Sequence, residues 1–151
     1  MPEPETQENE YPEPSGRNYL LNADGSGTGT VANPSPAAIG VVLKDPDGNS
    51  VGEISKAIGP ATNTVAEYRA LIEGLELAHL HGIKRIRVFL DSELVVDQIN
   101  DASRVKAEHL KSWHAKALML FKRFPNRRIS WVPRKWNKEA DALASKALRD
   151  G

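Results

Sequence analysis

The sequence predicts an α/β domain with a mixed five-stranded sheet flanked by helices, in the order βββαβααβα. Five short runs rich in apolar residues have the pattern of strands, and the runs between the later strands repeat their apolar residues at helical spacing. The first three strands follow one another through short turns, which favours an antiparallel meander. Helices separate the later strands, which favours parallel crossovers.

The first three strands are expected at residues 19–23, 38–43 and 51–58. Residues 45–49, Asp-Pro-Asp-Gly-Asn, lie between the second and third strands. In such a turn Pro fixes one φ angle, and Gly supplies a positive φ. This stretch therefore predicts a hairpin.

A helix is expected next, from about Thr64 to His81, with Thr64 as its N-cap and Gly82 just beyond its end. Its apolar residues recur at helical spacing: Val65, Tyr68, Leu71, Ile72, Leu75 and Leu80. Residues 85–90 alternate as a fourth strand, and residues 92–100 have the pattern of a short helix. These elements form the middle of the predicted fold.

A third helix is indicated by apolar residues at helical spacing, and Pro125 ends it. These residues are Leu110, Trp113, Ala117, Phe121 and Phe124. Residues 128–132 are expected to form the fifth strand, with Trp131 in the core, and the Ala-rich residues 137–148 the final helix. Trp113 is likewise expected to pack in the core, with stacking on a sugar or base as the alternative.

The composition limits the possible classes of protein. A chain of 151 residues that is 40% hydrophobic and 26% charged suits one domain with one core, and we expect a monomer. There is no cysteine, so a metal must bind carboxylates or histidines, and a reducing cytoplasm is the expected compartment. No apolar run approaches the roughly 20 residues of a membrane span, so no membrane association is expected.

Charge is distributed unevenly along the chain. Residues 1–16 contain five Glu, four Pro and no Lys or Arg, so residues 1–17 are predicted to be a disordered acidic tail and residues 18–151 the folded domain. Residues 104–138 contain eleven Lys or Arg and the single acid Glu108. Such a density is expected of a surface that meets phosphate, although a solvated helix face would also explain it.

Four acidic residues lie at the ends of predicted elements: Asp24, Glu67, Asp91 and Asp141. Each has a simpler explanation by itself. Asp24 could belong to a turn, Glu67 could form a capping box with Thr64, and Asp91 could cap the helix that follows it. Asp141 could pair with Lys138 on the surface of the last helix.

Together these acids would suit hard divalent cations. Mg²⁺ prefers oxygen ligands and retains several waters, so a few carboxylates and a substrate phosphate form a natural site for it. Two such ions flank the scissile phosphate in many phosphodiester hydrolases, one activating water and the other stabilising the leaving oxygen. Close carboxylates also need cations to offset their repulsion.

Four separated motifs, which span residue 18 to about residue 148, resemble those of type 1 ribonuclease H. They are Asn-Ala-Asp-Gly-Ser at 22–26, Thr-Asn-Thr-Val-Ala-Glu-Tyr at 62–68, Leu-Asp-Ser-Glu-Leu-Val at 90–95 and Asn-Lys-Glu-Ala-Asp-Ala-Leu-Ala at 137–144. The resemblance implies the ribonuclease H-like fold. It also implies that Asp24, Glu67, Asp91 and Asp141 form a catalytic set that binds two Mg²⁺ or Mn²⁺ ions.

The implied activity is endonucleolytic hydrolysis of the RNA strand of RNA/DNA hybrids, leaving 5′-phosphate and 3′-hydroxyl ends. The resemblance also implies that Asn63 contacts the RNA strand near the cut and that Thr62 helps to hold a DNA phosphate. Asn137 is implied to lie beside the site, and with Lys135 it is counted among the candidate substrate-binding residues. Trp136 is a candidate for stacking on a sugar or base. Recognition through 2′-hydroxyls and groove shape would give little sequence preference.

The sequence departs from the family pattern in two places. Residues 133–136 are Pro-Arg-Lys-Trp, with no histidine where many members have one, so we expect Arg134, or else Lys135, to approach the leaving phosphate. Arg134 could instead be only a phosphate clamp. Residues 101–111 are too few for the extra basic helix of some members, and a basic helix at residues 106–123 is expected to substitute in part.

Two alternatives to this function stay open. One is a different nuclease of the same superfamily, such as an integrase-like or exonuclease domain, because such enzymes share the fold and the acidic cluster. The other is a catalytically silent module that binds hybrids or proteins. Affinity for nucleic acid does not separate these from the enzyme, whereas metal-dependent turnover does.

Overall fold

A computed structural model describes residues 17–151, so the predicted acidic tail lies, apart from Arg17, outside the described residues. The strands are β1 (Tyr19–Gly27), β2 (Ser35–Lys44), β3 (Ser50–Ala61), β4 (Arg85–Leu90) and β5 (Asn126–Trp131). The α-helices are α1 (Asn63–Leu80), α2 (Glu93–Ile99), α3 (Lys111–Phe121) and α4 (Lys138–Asp150). Two short 3₁₀ helices, Glu108–Leu110 and Arg134–Trp136, precede α3 and α4.

The five strands form one sheet in the order β3-β2-β1-β4-β5. β1 pairs antiparallel with β2, and β2 pairs antiparallel with β3. On its other side β1 pairs parallel with β4, which pairs parallel with β5. The predicted mixed sheet and the order βββαβααβα are therefore confirmed.

The main hydrophobic core lies between one face of the sheet and helices α1, α2 and α3. Leu21, Val41 and Val88 point into it from three strands and are fully buried. Tyr68 of α1 joins them and donates a hydrogen bond from its hydroxyl to Gln98 of α2. Burying side chains of this size stabilises the fold by about 1.5–3 kcal/mol each.

Helix α4 covers only part of the opposite face, where it packs against β1, β2 and β3. Its small residues allow close contact: Ala140 and Ala144 are fully buried. Gly40 of β2 faces them, and a Cβ atom built there would lie 2.0 Å from the Ala140 carbonyl oxygen. The helix can approach the sheet this closely only because residue 40 has no side chain.

Helix α1 begins earlier than predicted. Its N-cap is Thr62, not Thr64, and the Thr62 hydroxyl oxygen accepts a hydrogen bond from the Val65 N–H at 3.1 Å. The prediction was wrong because both threonines precede the apolar stripe, and only the backbone angles distinguish the residue that caps it. No helix within residues 17–151 is long and apolar enough to cross a membrane.

Two other details differ from prediction. The third helix is α3, which spans Lys111–Phe121 after a short 3₁₀ turn, so it is shorter than the basic helix expected at residues 106–123. Trp113 packs against the core, as expected. Trp131 is 48% exposed and does not belong to the core, because it ends an edge strand and its indole extends towards Asp91.

The contact between Gly40 and α4 can be tested by Gly40→Ala. The added methyl group would meet backbone atoms of Ala140 and Ala144, which cannot move without displacing the helix. We expect the free energy of unfolding to fall by about 1–3 kcal/mol, measured by urea denaturation. Gly52→Ala is the matched control, because its methyl group meets only the flexible Leu77 side chain at 3.0 Å. Equal losses in both variants would contradict this account.

Candidate active site

A polar cleft of about 410 Å³ opens where β1 and β4 meet the first turns of α1 and α4. The carboxyl groups of Asp24, Glu67, Asp91 and Asp141 all line it. Its remaining lining residues are Gly25, Ser26, Gly27, Thr28, Asn63 and Arg134. The structure therefore brings all four sequence-predicted acids into one cleft.

Three of these acids form a tight group. Asp24, Glu67 and Asp91 each offer a carboxylate oxygen, and these oxygens all lie within 4.8 Å of one another. Asp24 and Glu67 are each 5% exposed, and Asp91 is half-buried. Asp141 lies at the rim, where Arg134 Nη2 approaches its Oδ1 at 3.4 Å.

Gly25 allows α1 to bring Glu67 to the sheet. A Cβ atom at residue 25 would lie 2.2 Å from the Ala66 carbonyl carbon, so only glycine fits. The Gly25 N–H donates a hydrogen bond to Glu67 Oε1 at 2.9 Å. Glu67 is thus held by a backbone N–H of β1. The alternative, a capping box with Thr64, fails because Thr62 is the N-cap of α1.

The simpler explanations of the other acids also fail. Ser92, not Asp91, caps α2, and its Oγ accepts a hydrogen bond from the Val95 N–H at 3.4 Å. The Asp91 carbonyl oxygen accepts a hydrogen bond from Trp131 Nε1 at 3.3 Å, which fixes the backbone beside its carboxyl group. Asp141 pairs with Arg134 and not with Lys138.

Asp24 is inside β1, which runs to Gly27, and does not end the strand as predicted. Its parallel neighbour β4 ends earlier: the paired stretch of β1 and β4 reaches only Asn22 and Phe89. Beyond that point the two strands leave space for a cleft. The Asp24 side chain can therefore face Asp91, which directly follows β4.

The electrostatics of the cluster are unfavourable without a cation. Burial raises the pKa of the Asp24 carboxyl well above its usual range, and the charges of Glu67 and Asp91 raise it further. Burial also raises the pKa of Glu67, although the hydrogen bond from Gly25 opposes the increase. Burial raises the pKa of Asp91 as well. At neutral pH such a site holds protons or requires positive charge.

A divalent cation suits this donor set. All the donor atoms in the cluster are carboxylate oxygens, the ligands that hard cations such as Mg²⁺ prefer. Asp141 could supply a further oxygen from the rim of the same cleft. The neighbouring cation Arg134 is exposed and already faces Asp141, whose charge raises the pKa of the guanidinium.

Asn137 connects β1 to the start of α4. It is 1% exposed, its Nδ2 donates to the Ala23 carbonyl oxygen, and its Oδ1 accepts from Asn22 Nδ2, both at 2.9 Å. Both ends of its amide are thus used within the protein. This arrangement positions Asp24 and Asp141 relative to each other, and leaves little of Asn137 for contact with a substrate.

The other sequence-predicted substrate residues are dispersed. Asn63 is exposed at the rim of the cleft, and the Thr62 hydroxyl oxygen caps α1. Lys135 and Trp136 do not line the acidic cleft, but a separate cavity beside the start of α4. The basic stretch is also divided between surfaces, because Arg127 contacts the Phe121 ring while Arg128 lies on the other face of β5.

Gly25, Asn22 and Trp131 support the site but are not among the site residues predicted from the sequence. Gly25 and Asn22 flank Asp24 within one of the motifs that resemble the family. Their place in this motif was the only sign of their importance in the sequence. The periodicity of apolar residues does not reveal that the backbone of α1 lies against Gly25. No pattern in the sequence pointed to the Trp131 contact.

Comparison with known proteins gives a consistent result. A family model described as "Reverse transcriptase-like" matches residues 22–147. The chain is 42% identical over 127 residues to ribonuclease HI of Halobacterium salinarum, covering 84% of this chain and 62% of that protein. It is 41% identical over 130 residues to bifunctional protein Rv2228c of Mycobacterium tuberculosis, covering 85% of this chain. The chain spans only 35% of the length of that relative.

Solved structures extend the likeness to three dimensions. The ribonuclease H1 structure from Halobacterium salinarum matches with a TM-score of 0.82 at 40% identity, covering 89% of this chain and 99% of that one. An LC11 ribonuclease H1 solved in complex with RNA/DNA hybrid matches with a TM-score of 0.78 at 38% identity, covering 88% and 98%. The fold is thus that of the ribonuclease H class. The chain belongs to the reverse transcriptase-like family, in agreement with the motifs.

The acidic cluster predicts an unusual dependence of stability on pH. The folded metal-free protein retains protons on carboxyls that the unfolded chain releases near pH 4, so its stability should fall as pH rises from there through the raised folded pKa. Asp24→Asn removes the most strongly shifted group. We expect it to raise the free energy of unfolding at pH 8 by about 2 kcal/mol and to flatten the slope.

The measurement is urea denaturation between pH 5 and 8 in the presence of a chelator. Asp47→Asn is the matched control, because Asp47 is exposed in the turn between β2 and β3. A steep pH slope that survives in Asp24→Asn would show that the cluster does not destabilise the metal-free protein.

Proposed function

We propose that this domain hydrolyses the RNA strand of RNA/DNA hybrids by an endonucleolytic, metal-dependent reaction that leaves 5′-phosphate and 3′-hydroxyl ends. The observation that carries the proposal is the convergence of Asp24, Glu67 and Asp91 within 4.8 Å in a polar cleft. Likeness to ribonuclease H1 structures, one of them bound to a hybrid, supports the choice of substrate.

Asp24, Glu67 and Asp91 would hold two Mg²⁺ or Mn²⁺ ions, with Asp141 completing the set. Bound there, such ions would supply a Lewis acid that polarises the phosphate and acidifies a water molecule. The protein's own contribution is alignment. Gly25 and Asn137 fix the positions of Glu67 and Asp24 before substrate arrives, so little reorganisation is needed during reaction.

Arg134 would act beside the leaving phosphate. Its side chain is 79% exposed and lies on a short 3₁₀ helix at the rim of the cleft, where it pairs with Asp141. A phosphate entering the cleft would offer the guanidinium a bidentate partner, which arginine favours over a single carboxylate oxygen. Arg134 would then exchange Asp141 for substrate and release that carboxylate.

Asn63 at the rim is a candidate contact to the RNA strand. Thr62 lies directly before it and could offer a phosphate contact at the start of α1. Lys135 and Trp136 are both exposed on the neighbouring surface, within the same short 3₁₀ helix as Arg134. They would contact a duplex that extends beyond the cleft.

The central test is cleavage of a strand-labelled RNA/DNA hybrid with Mg²⁺, with Mn²⁺ and with a chelator. We expect only the RNA strand to be cut, only with metal, and a loss of at least about 10³-fold in Asp24→Asn. Single-stranded RNA, duplex DNA and duplex RNA are the substrate controls. Intact hybrid under every condition would favour a silent binding module, and cut DNA would favour a related nuclease.

Arg134→Ala should lower kcat by about 10-fold to 100-fold while changing hybrid affinity less than 3-fold, because the lost contact belongs to the reacting phosphate. Arg134→Lys keeps the charge and should restore part of the rate. Arg149→Ala, an exposed arginine near the end of α4, is the matched control for loss of positive charge. Equal and modest losses in rate and affinity would make Arg134 only a phosphate clamp.

A further inference from the structure

Within residues 17–151, helix α4 covers only about half of one sheet face, over β1, β2 and β3. The side chains of Leu20, Asn22 and Asp24 face α4, as the contact of Asn22 with Asn137 shows. Strand pairing places Leu20 beside Arg87, and Arg87 beside Arg128. The α4 side of β4 and β5 therefore carries a row of arginines where, within residues 17–151, no helix packs.

This surface, the arginine face, consists of Arg85, Arg87 and Arg128. Arg85 and Arg87 are two residues apart on β4 and share its α4 side, and Arg128 is paired with Arg87. Burial and the positive charges of Arg128 and Arg85 lower the pKa of the Arg87 guanidinium, so the three charges interact. Like charges gathered on a sheet face favour an acidic partner.

A cavity of about 310 Å³ adjoins the arginine face, and Lys44, Lys135 and Lys138 are among its lining residues. Leu20, Phe89, Val132 and Trp136 supply its apolar walls. Phe89 is on the same side of β4 as Arg87, one row nearer to the active site. The surface therefore has two parts. Its positive charges lie near the beginnings of β4 and β5, and the cavity lies beside Leu20 and Phe89.

The chain enters this region at the start of β1. Arg17 has a φ angle of 57°, in the left-handed region that is uncommon for residues other than glycine. Asn18 follows it, is 4% exposed, and has a buried Oδ1 without a hydrogen-bond partner among the described residues. The backbone therefore turns at Arg17, just before β1 begins, and the buried acceptor Asn18 Oδ1 lies next to this turn.

We propose that residues 1–16 dock across the arginine face of the same molecule, with their glutamates pairing with Arg85, Arg87 and Arg128. The segment carries five Glu and no Lys or Arg, against a net charge of +5 for the rest of the chain. Tyr11, its single aromatic residue, has the size and polarity to enter the cavity.

The segment is long enough and correctly placed for this role. Tyr19 pairs with Ile86, so the first strand begins directly beside Arg85 and Arg87, two residues after Arg17. Sixteen residues span at most roughly 55 Å when extended, well beyond the width of two strands. Tethering gives the segment a local concentration of the order of millimolar, which favours it over a partner in solution.

Nucleic acid is a weaker candidate for this surface. Arg85 and Arg128 lie near the beginnings of β4 and β5, whereas Asp91 follows the end of β4. A duplex seated in the acidic cleft would have to extend along the strands to reach the arginine face. The segment takes no part in the reaction, but the cavity that Tyr11 would enter is lined by Lys135 and Trp136, which the proposed function assigns to an extended duplex. Docking is therefore tested without nucleic acid, so its failure is distinguishable from a failure of the proposed cleavage.

The test uses the full chain, whose lack of cysteine allows a single spin label to be placed at Thr6→Cys. In dilute buffer, amide resonances of Leu20, Arg87 and Arg128 should broaden to less than half their intensity in the reduced, diamagnetic sample. Amides of α3, on the other side of the sheet, should not. Replacing the five glutamates with glutamine, or adding 0.5 M NaCl, should restore the lost intensity.

Three results would overturn the proposal. The first is broadening with no preference for the arginine face, and the second is broadening that persists in the glutamine variant. The third is broadening that arises only between molecules, when the spin label is on one copy of the chain and the observed amides are on another. The last result would indicate a second copy of the chain as the occupant. If only an added RNA/DNA hybrid perturbs these amides, the surface serves nucleic acid instead.

Discussion

The rest of the domain depends on holding three carboxyl groups together against their own repulsion. Asp24, Glu67 and Asp91 come from three different elements, and two of them are almost completely buried. Neither burial nor proximity of like charges is favourable, so the surrounding structure must supply the stability that the cluster removes. The core beneath the sheet, the glycine at residue 25 and the buried amide of Asn137 all serve this arrangement.

Much of the fold could be predicted because its signals are local. The alternation of apolar residues in the strands, the Asp-Pro-Asp-Gly-Asn turn and the helical stripe of α1 each lie within a short window of sequence. Errors occurred where a tertiary contact decides. Thr62 and Thr64 are equivalent as sequence signals, and Trp131 follows a strand pattern although it lies on an edge strand and extends towards Asp91.

The candidate site was predictable only in part, for a related reason. Each acid taken alone fitted a cap, a turn or a surface ion pair, and only the four motifs together indicated a cluster. The motifs do not reveal how the acids are held. The contact of Gly25 with Glu67 joins residues 42 positions apart, and that of Asn22 with Asn137 joins residues 115 apart. Contacts between residues so far apart do not produce a repeating pattern in the sequence, so they cannot be predicted from it.

The change of strand direction at β1 has a further consequence for the architecture. The acids gather at one end of the sheet, while the turn at residues 45–49 and the connection between α1 and β4 lie at the other end. Exposed connections remote from a site accept inserted sequence with little effect on it. The turn at residues 45–49 and the connection between α1 and β4 can therefore be lengthened, or joined to other domains, while the geometry of the cleft is preserved.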